Sequence, residues 1–325
     1  MNSAVTFIAV LLGVGALASL AIVLAMAMAM LRPPRMSEGR AVAILHRLSP
    51  GDLGLNFSDR RFVVRDGFTD GKLTLAAWWI PHPQAASRTI LLVHGYGDAK
   101  VGAIAWAPML QSLGFNILAI DLRAHGESGG RFCTAGYFER HDVNQIVDQL
   151  RAESPEHTRQ MVLFGISLGG ASSAAAAVKR DDLSAVVLEC PYVEFRHAVA
   201  IHANLTGMPG PLFVRAAMRA AEIIAACDFK SVRPIDAIPK IKCPLMVITS
   251  LDDPIVPPAD VDAIATAMEA RPKDRPSIFW PVEGAWHVLA LAQRPDEYRK
   301  RLAEFFAAAL GSEPAIASAA ATPAT

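Results

Sequence analysis

Six short apolar runs set the tightest limit on what this chain can fold into: Thr89–His94, Phe115–Asp121, Met161–Phe164, Ala185–Leu188, Leu245–Thr249 and Ser277–Trp280. Each lacks the polar–apolar alternation of a strand with one wet face, so each reads as a strand buried on both sides. Helical stretches lie between them, at Val101–Leu113, Arg140–Arg151, Ala171–Lys179, Pro258–Glu269 and Pro295–Leu310. Strand and helix therefore alternate, which predicts an α/β fold with a mainly parallel sheet and helices on both faces. Two earlier segments, Phe62–Arg65 and Lys72–Ile80, alternate instead, with Gly71 turning between them and Pro81 ending the second. The rhythm breaks once. Residues 193–233 hold only helix-like patches such as Leu212–Ala226, too much chain for an ordinary connection, and are expected to form a helical cap over the C-terminal edge of the sheet.

The N-terminus is a different kind of sequence. All 31 basic and 31 acidic residues lie at or after Arg32, and Ala4–Leu31 contains neither charge nor proline. About 20 such residues cross a hydrocarbon core of about 30 Å, so residues 4–31 are expected to be one transmembrane helix. Met1, Asn2 and Ser3 lack the basic start of a secretory signal, although the Ala-Met repeats before Met30 leave cleavage as the alternative. A buried core helix fits less well, because Arg32-Pro33-Pro34-Arg35 ends the run in a membrane-flank composition. Arg32, Arg35, Arg40 and Arg47 all follow the helix, and the excess of positive charge there places the main domain in the cytoplasm. The expected organisation is an anchor over residues 1–35, a main domain over 36–310 and an Ala-rich disordered tail over 311–325. On this division a chain starting near Arg35 is expected to be soluble and active.

Zero net charge gives no basic stripe for nucleic acid, and 52% hydrophobic residues exclude a disordered chain. Cys133, Cys190, Cys227 and Cys243 are too far apart for a zinc or redox pair and read as free, mostly buried thiols. The histidines are scattered, so no metal and no organic cofactor is expected.

The chemistry is announced at Gly165-Ile166-Ser167-Leu168-Gly169-Gly170, which follows the run Met161–Phe164 and opens an Ala-rich helix. A serine held on a tight strand-to-helix turn needs small neighbours, because side chains there would strike the adjacent strand and helix. Ser167 is therefore the candidate nucleophile. A serine hydroxyl needs a histidine to take its proton and an acid to orient that histidine. Both should follow in loops after later strands. His287 lies after Ser277–Trp280, and Asp252 and Asp253 lie after Leu245–Thr249; only one of the two aspartates can face the histidine. His94 and His125 also sit at strand ends, but they precede Ser167 and read as structural. The backbone N–H groups of Leu168 and of Tyr96, in His94-Gly95-Tyr96-Gly97, are the expected oxyanion donors.

Taken together, these segments resemble the α/β-hydrolase superfamily, in its esterase and serine-aminopeptidase-like branch, over roughly Phe62 to Phe306. The resemblance rests on His94-Gly95-Tyr96-Gly97, Asp121-Leu122-Arg123-Ala124-His125-Gly126-Glu127-Ser128, Gly136 with Glu139 and Asp142, the turn at Ser167, Asp253-Pro254-Ile255-Val256-Pro257 and Gly284 with His287. It implies Asp253 rather than Asp252 as the acid of a Ser167, Asp253, His287 triad, and structural roles for Asp121 and Arg123. Ser250 and Trp286 stand where relatives usually carry glycine, and a bulky Trp286 is expected to narrow the pocket. The implied activity is hydrolysis of an ester, or of an amide or thioester, on a small-molecule or lipid-like acyl substrate. An acyltransferase or peptidase on the same triad, or a silent membrane-tethered interaction module, are the competing expectations.

Overall fold

The structure is a computed structural model that describes residues 3–84, 86–208 and 210–311. Eight strands form one sheet: β1 (Ser58–Arg65), β2 (Lys72–Ile80), β3 (Arg88–Val93), β4 (Asn116–Ile120), β5 (Gln160–Ile166), β6 (Ala185–Glu189), β7 (Leu245–Ser250) and β8 (Ser277–Val282). Their order is β1-β2-β4-β3-β5-β6-β7-β8. The pairings β1–β2 and β2–β4 are antiparallel and all the others parallel, so the six unbroken apolar runs are the parallel strands.

The principal helices are α1 (Ser3–Leu31), α2 (Glu38–Leu45), α3 (Glu139–Glu153), α4 (Leu168–Ala177), α5 (Phe195–Leu205), α6 (Pro211–Ala225), α7 (Pro258–Glu269) and α8 (Pro295–Leu310). Helices α3, α4 and α7 share one apolar layer with the sheet, while α8 and the segment 100–112 fill the other. The sheet is thus covered on both faces. Residues 193–233 fold into α5, α6 and a short 3-10 turn, and the Ala-rich tail lies, from residue 312 on, outside the described residues.

One local expectation is corrected. Val101–Leu113 is not one helix but Lys100–Ala103, a 3-10 turn at Ile104–Trp106, and Ala107–Ser112. Pro108 cannot donate and its ring would strike a carbonyl one turn back, so the helix restarts there. Gly71 lies in the turn between β1 and β2 as expected, directly after the left-handed Asp70, with φ 56°. Asp66 sets that turn by accepting from Phe68 N–H at 3.1 Å and Thr69 Oγ1 at 2.9 Å.

Helix α1 is long and apolar enough to cross a membrane. It is more than a tether, however. From Ser3 to Ile22 nearly every residue is exposed, but Met26, Ala27 and Leu31 are buried in the same core cluster as α3 and α4. The N–H of Cys133 donates to the Leu31 carbonyl at 2.8 Å. The anchor side of a boundary near residue 35 is therefore packed on the main domain.

Buried charge fixes the irregular loops on this frame. Arg123 donates to Asp142 through Nε at 2.7 Å and Nη2 at 2.8 Å, and to Asp66 at 3.0 Å. Burial alone would push the Asp142 carboxyl up, and it stands at about 6 even with Arg123 beside it. Removing one member of such a group leaves the others buried without a counter-charge. We expect Arg123→Ala to lose about 3–5 kcal/mol of stability. Arg65→Ala, which breaks the exposed pair with Asp70, should lose no more than about 1 kcal/mol. Urea unfolding of the two variants measures the contrast.

Candidate active site

Ser167 lies between β5 and α4 with φ 52° and ψ −113°, a conformation L-residues rarely adopt. It is held by its own N–H donating to the Glu189 carbonyl at 2.8 Å and by its carbonyl accepting from Ala171 at 3.1 Å. The glycines around it are sterically required. A Cβ on Gly169 would run into the Val93 carbonyl, and one on Gly165 into the Gly169 carbonyl.

Three loops at the C-terminal ends of the parallel strands meet at this turn. His287 Nε2 lies 3.0 Å from Ser167 Oγ, and His287 Nδ1 lies 2.5 Å from Asp253 Oδ2. Asp253 is buried, and its other oxygen accepts from Ile255 N–H at 2.8 Å and Val256 N–H at 3.3 Å. Asp252 is exposed, and the hydrogen bond to His287 is made by Asp253. Ser167, His287 and Asp253 are therefore brought together and Asp252 is not.

The N–H of Leu168 opens α4, where a helix leaves its first donors without intrahelical partners. Tyr96 follows β3 in a loop pressed on the turn: a Cβ on Gly95 would sit 3.3 Å from Ser167 Cβ. Two buried histidines brace this region. His94 Nε2 accepts from Leu122 N–H at 3.0 Å and His125 Nε2 from Gly97 N–H at 3.2 Å, so both rings are engaged by backbone. Asp121 is spent in the same way, accepting from Lys100 N–H at 2.7 Å, Lys100 Nζ at 2.8 Å and Glu127 N–H at 2.9 Å.

Above Ser167 opens a cavity of about 510 Å³, lined mostly by apolar side chains from α5, the loops and α1. Trp286 does not narrow it. Its side chain is exposed and is not part of the lining.

Sequence reasoning missed several neighbours of the site. Cys190, with φ 45°, follows β6, and its sulfur is grouped with the Asp253 carboxylate and the His287 ring within 4.8 Å. These three are the His, Cys and acid set among the described residues that could hold a metal ion. The 2.5 Å separation of Nδ1 and Oδ2 is that of a shared proton, whereas ligands about 2.0–2.3 Å from one metal stand farther apart. Glu189 lies fully buried behind the turn, where burial pushes its carboxyl up to about 7 despite the Tyr298 hydroxyl donating to it at 2.5 Å. Asp98 lines the cavity, and burial raises its carboxyl to about 6. Of these, only Cys190 carried a signal in the sequence, as a cysteine directly after a buried strand.

A family model for serine aminopeptidases, S33, matches residues 84–235. Among solved structures, the Pyrococcus furiosus esterase PF2001 is 22% identical with a TM-score of 0.67, covering 85% of this chain and 97% of that one. An uncharacterized protein of Bacillus subtilis, YqkD, is 24% identical over 226 residues, which is 69% of this chain and 72% of that protein. The lysophosphatidylserine lipase ABHD12 of Macaca fascicularis is 26% identical over 191 residues, 55% of this chain and 45% of that protein.

Burial alone would lower the pKa of the His287 imidazole, but its hydrogen bonds to Asp253 and to Cys190 outweigh this and raise it above the ordinary histidine value. A folded pKa above the unfolded value means that the contribution of this pair to stability is complete below about pH 6.5 and is lost as pH rises through the raised folded value. Imidazole NMR reads the titration of His287 directly. In Asp253→Asn its titration should move down by more than one unit, while in Asp252→Asn it should stay in place.

Proposed function

We propose that the chain is an α/β-hydrolase, a reading supported by the family model over residues 84–235 and by the fold, and that it is a serine hydrolase acting on a carboxylic ester. The observation that carries this reading is the run of contacts from Asp253 Oδ2 through His287 to Ser167 Oγ, at 2.5 and 3.0 Å, on the floor of an apolar cavity.

The reaction follows from those contacts. Ser167 Oγ attacks the ester carbonyl as His287 Nε2 takes its proton, and the carbonyl oxygen gains negative charge between the N–H groups of Tyr96 and Leu168. The C–O bond to the alcohol then breaks, His287 returns the proton to the leaving oxygen, and an acyl group remains on Ser167. Water repeats the sequence in reverse roles, releasing the acid and restoring the serine. Asp253 holds the ring with Nδ1 protonated and stabilises the imidazolium of each step. The apolar lining favours an acyl group over a peptide, and the named activity of the lipase relative is of the same kind.

We also place the protein in a membrane through α1, as a single-pass protein with its catalytic domain in the cytoplasm. The charge-free helix and the arginines after it support this. Protease added to sealed cells should leave the catalytic domain intact; its digestion from outside would reverse the orientation.

Ser167→Ala should fold normally and lose about 10³-fold or more in kcat together with all fluorophosphonate labelling. Asp253→Asn should lose several orders of magnitude in kcat, about 10⁴-fold where a wrong tautomer is the cause, while Asp252→Asn keeps most activity. Matched melting curves, with kcat measured on a chromogenic acetyl ester, separate loss of chemistry from loss of fold. Labelling that persists in Ser167→Ala would assign the nucleophile elsewhere.

A further inference from the structure

The cavity over Ser167 has an unusual wall. Met26, Ala29 and Met30 line it, and all three belong to α1. The helix divides into two parts. Residues from Ser3 to Ile22 are almost uncontacted, and at 1.5 Å per residue they span about 30 Å, the thickness of a hydrocarbon core. The remainder, Val23 to Leu31, is docked on the catalytic domain and rises only about 13 Å. A helix spanning a bilayer with its first part therefore brings the cavity close beneath the membrane surface.

The docking is chemically specific. The last carbonyls of a helix have no partners within it and must find them elsewhere. Here the Tyr96 hydroxyl donates to the Ala29 carbonyl at 2.7 Å and the Cys133 N–H to the Leu31 carbonyl at 2.8 Å. Tyr96 is also the residue whose N–H is assigned to the oxyanion, so the helix end is tied to the reacting centre. On the other side α6 packs against α1, and α5 supplies Phe195, Ala198 and Val199 to the same cavity. Beyond that contact the cap leaves Leu205, Leu212 and Ile223 exposed.

We propose that α1 is part of the substrate site: Met26, Ala29 and Met30, facing α5, form a slot for one long acyl chain, and the substrate is a single-chain ester delivered from the bilayer in which α1 is embedded. The proposal rests on the serine-hydrolase reading above. The slot is apolar because the chain is, and its mouth lies where a bilayer lipid can slide along the helix without crossing water.

The test uses the full-length protein in phosphatidylcholine vesicles with p-nitrophenyl acetate and p-nitrophenyl palmitate. Met30→Trp, which fills the slot, should lower the ratio of kcat/KM on palmitate to kcat/KM on acetate by about tenfold or more. Met30→Ala, which opens the slot, should change the palmitate rate in preference to the acetate rate and guards against misfolding of the larger variant. Palmitate embedded in the protein's own vesicles should be cleaved about tenfold faster than the same ester in separate vesicles. Equal effects on both esters, or none, would remove α1 from the site. Equal rates from shared and separate vesicles would overturn delivery from the bilayer. Labelling by a short-chain fluorophosphonate distinguishes the two levels of failure: a labelled, active protein whose chain-length preference does not respond sinks this proposal alone, and an unlabelled, inactive one sinks the hydrolase reading with it.

Discussion

Backbone packed directly on backbone beneath Ser167 is the contact on which the rest of the site depends. Gly169 meets the Val93 carbonyl and Gly165 meets Gly169, so β3, β5 and the start of α4 approach more closely than any side chain would allow. That approach seats the Tyr96 loop beside Ser167 and holds the serine in a conformation costing about 1–3 kcal/mol. The cost is met locally by the Glu189 and Ala171 hydrogen bonds, and it is not the only one. Cys190 at φ 45° and Val288 at φ 61° are also left-handed, so each of the loops after β5, β6 and β8 holds a strained residue near His287. Only a sheet buried on both faces is stiff enough to keep three such residues in place.

Charge does for the outer loops what close packing does for the turn. Asp121 and Glu139 each gather backbone N–H groups: Asp121 those of Lys100 and Glu127, Glu139 those of Thr134 and Gly136. A buried carboxylate with several donors aimed at it fixes a loop as firmly as a strand pairing would, because breaking any one bond leaves charge unsolvated in a dry interior. Lys100 completes the set from below, with Nζ 4.6 Å from the centre of the Trp78 ring. The donors and acceptors of these groups are already committed to one another. That separates them from Ser167 and His287, whose polar atoms face the cavity.

What could be read from the sequence follows the reach of each signal. The parallel strands were legible because burial on both faces removes the polar positions, and the match at α7 is complete because Pro258 starts the helix on a φ it already holds. The Ser167 turn was legible because its sterics are local, within a few residues. The choice between Asp252 and Asp253 was not, since it depends on which side chain the loop turns inward; only the resemblance separated them. Helix α5 fell within the expected cap without bounds of its own, because the sequence does not say which of its side chains turn inward; Ala203 is its one buried residue. Trp286 misled for the same reason: size in the sequence says nothing about whether the loop points the ring into the pocket or out of it. Long-range contacts left no trace at all. Nothing near Glu189 announces Tyr298, and nothing in α1 announces that its last two turns belong to the core.

The docking of α1 also changes the meaning of the arginines behind it. Arg35 donates to the Gly126 carbonyl at 2.8 Å and the Ser128 carbonyl at 2.7 Å, and Arg47 to those of Val101 and Gly102 at 2.9 Å each. These carbonyls belong to the segments that flank the Asp121 cluster, so two of the four basic residues counted toward membrane orientation also fasten the linker to the catalytic domain. A linker stapled at 35 and at 47, after a helix whose end is capped by Tyr96 and Cys133, has no freedom to swing. The angle between α1 and the cavity is then set by the fold itself and not by a flexible tether. For an enzyme that samples soluble substrates such rigidity would serve no purpose, since any orientation reaches water equally well. It becomes useful when one face of the site must meet a surface, because a fixed angle keeps the mouth of the cavity at that surface through every turnover.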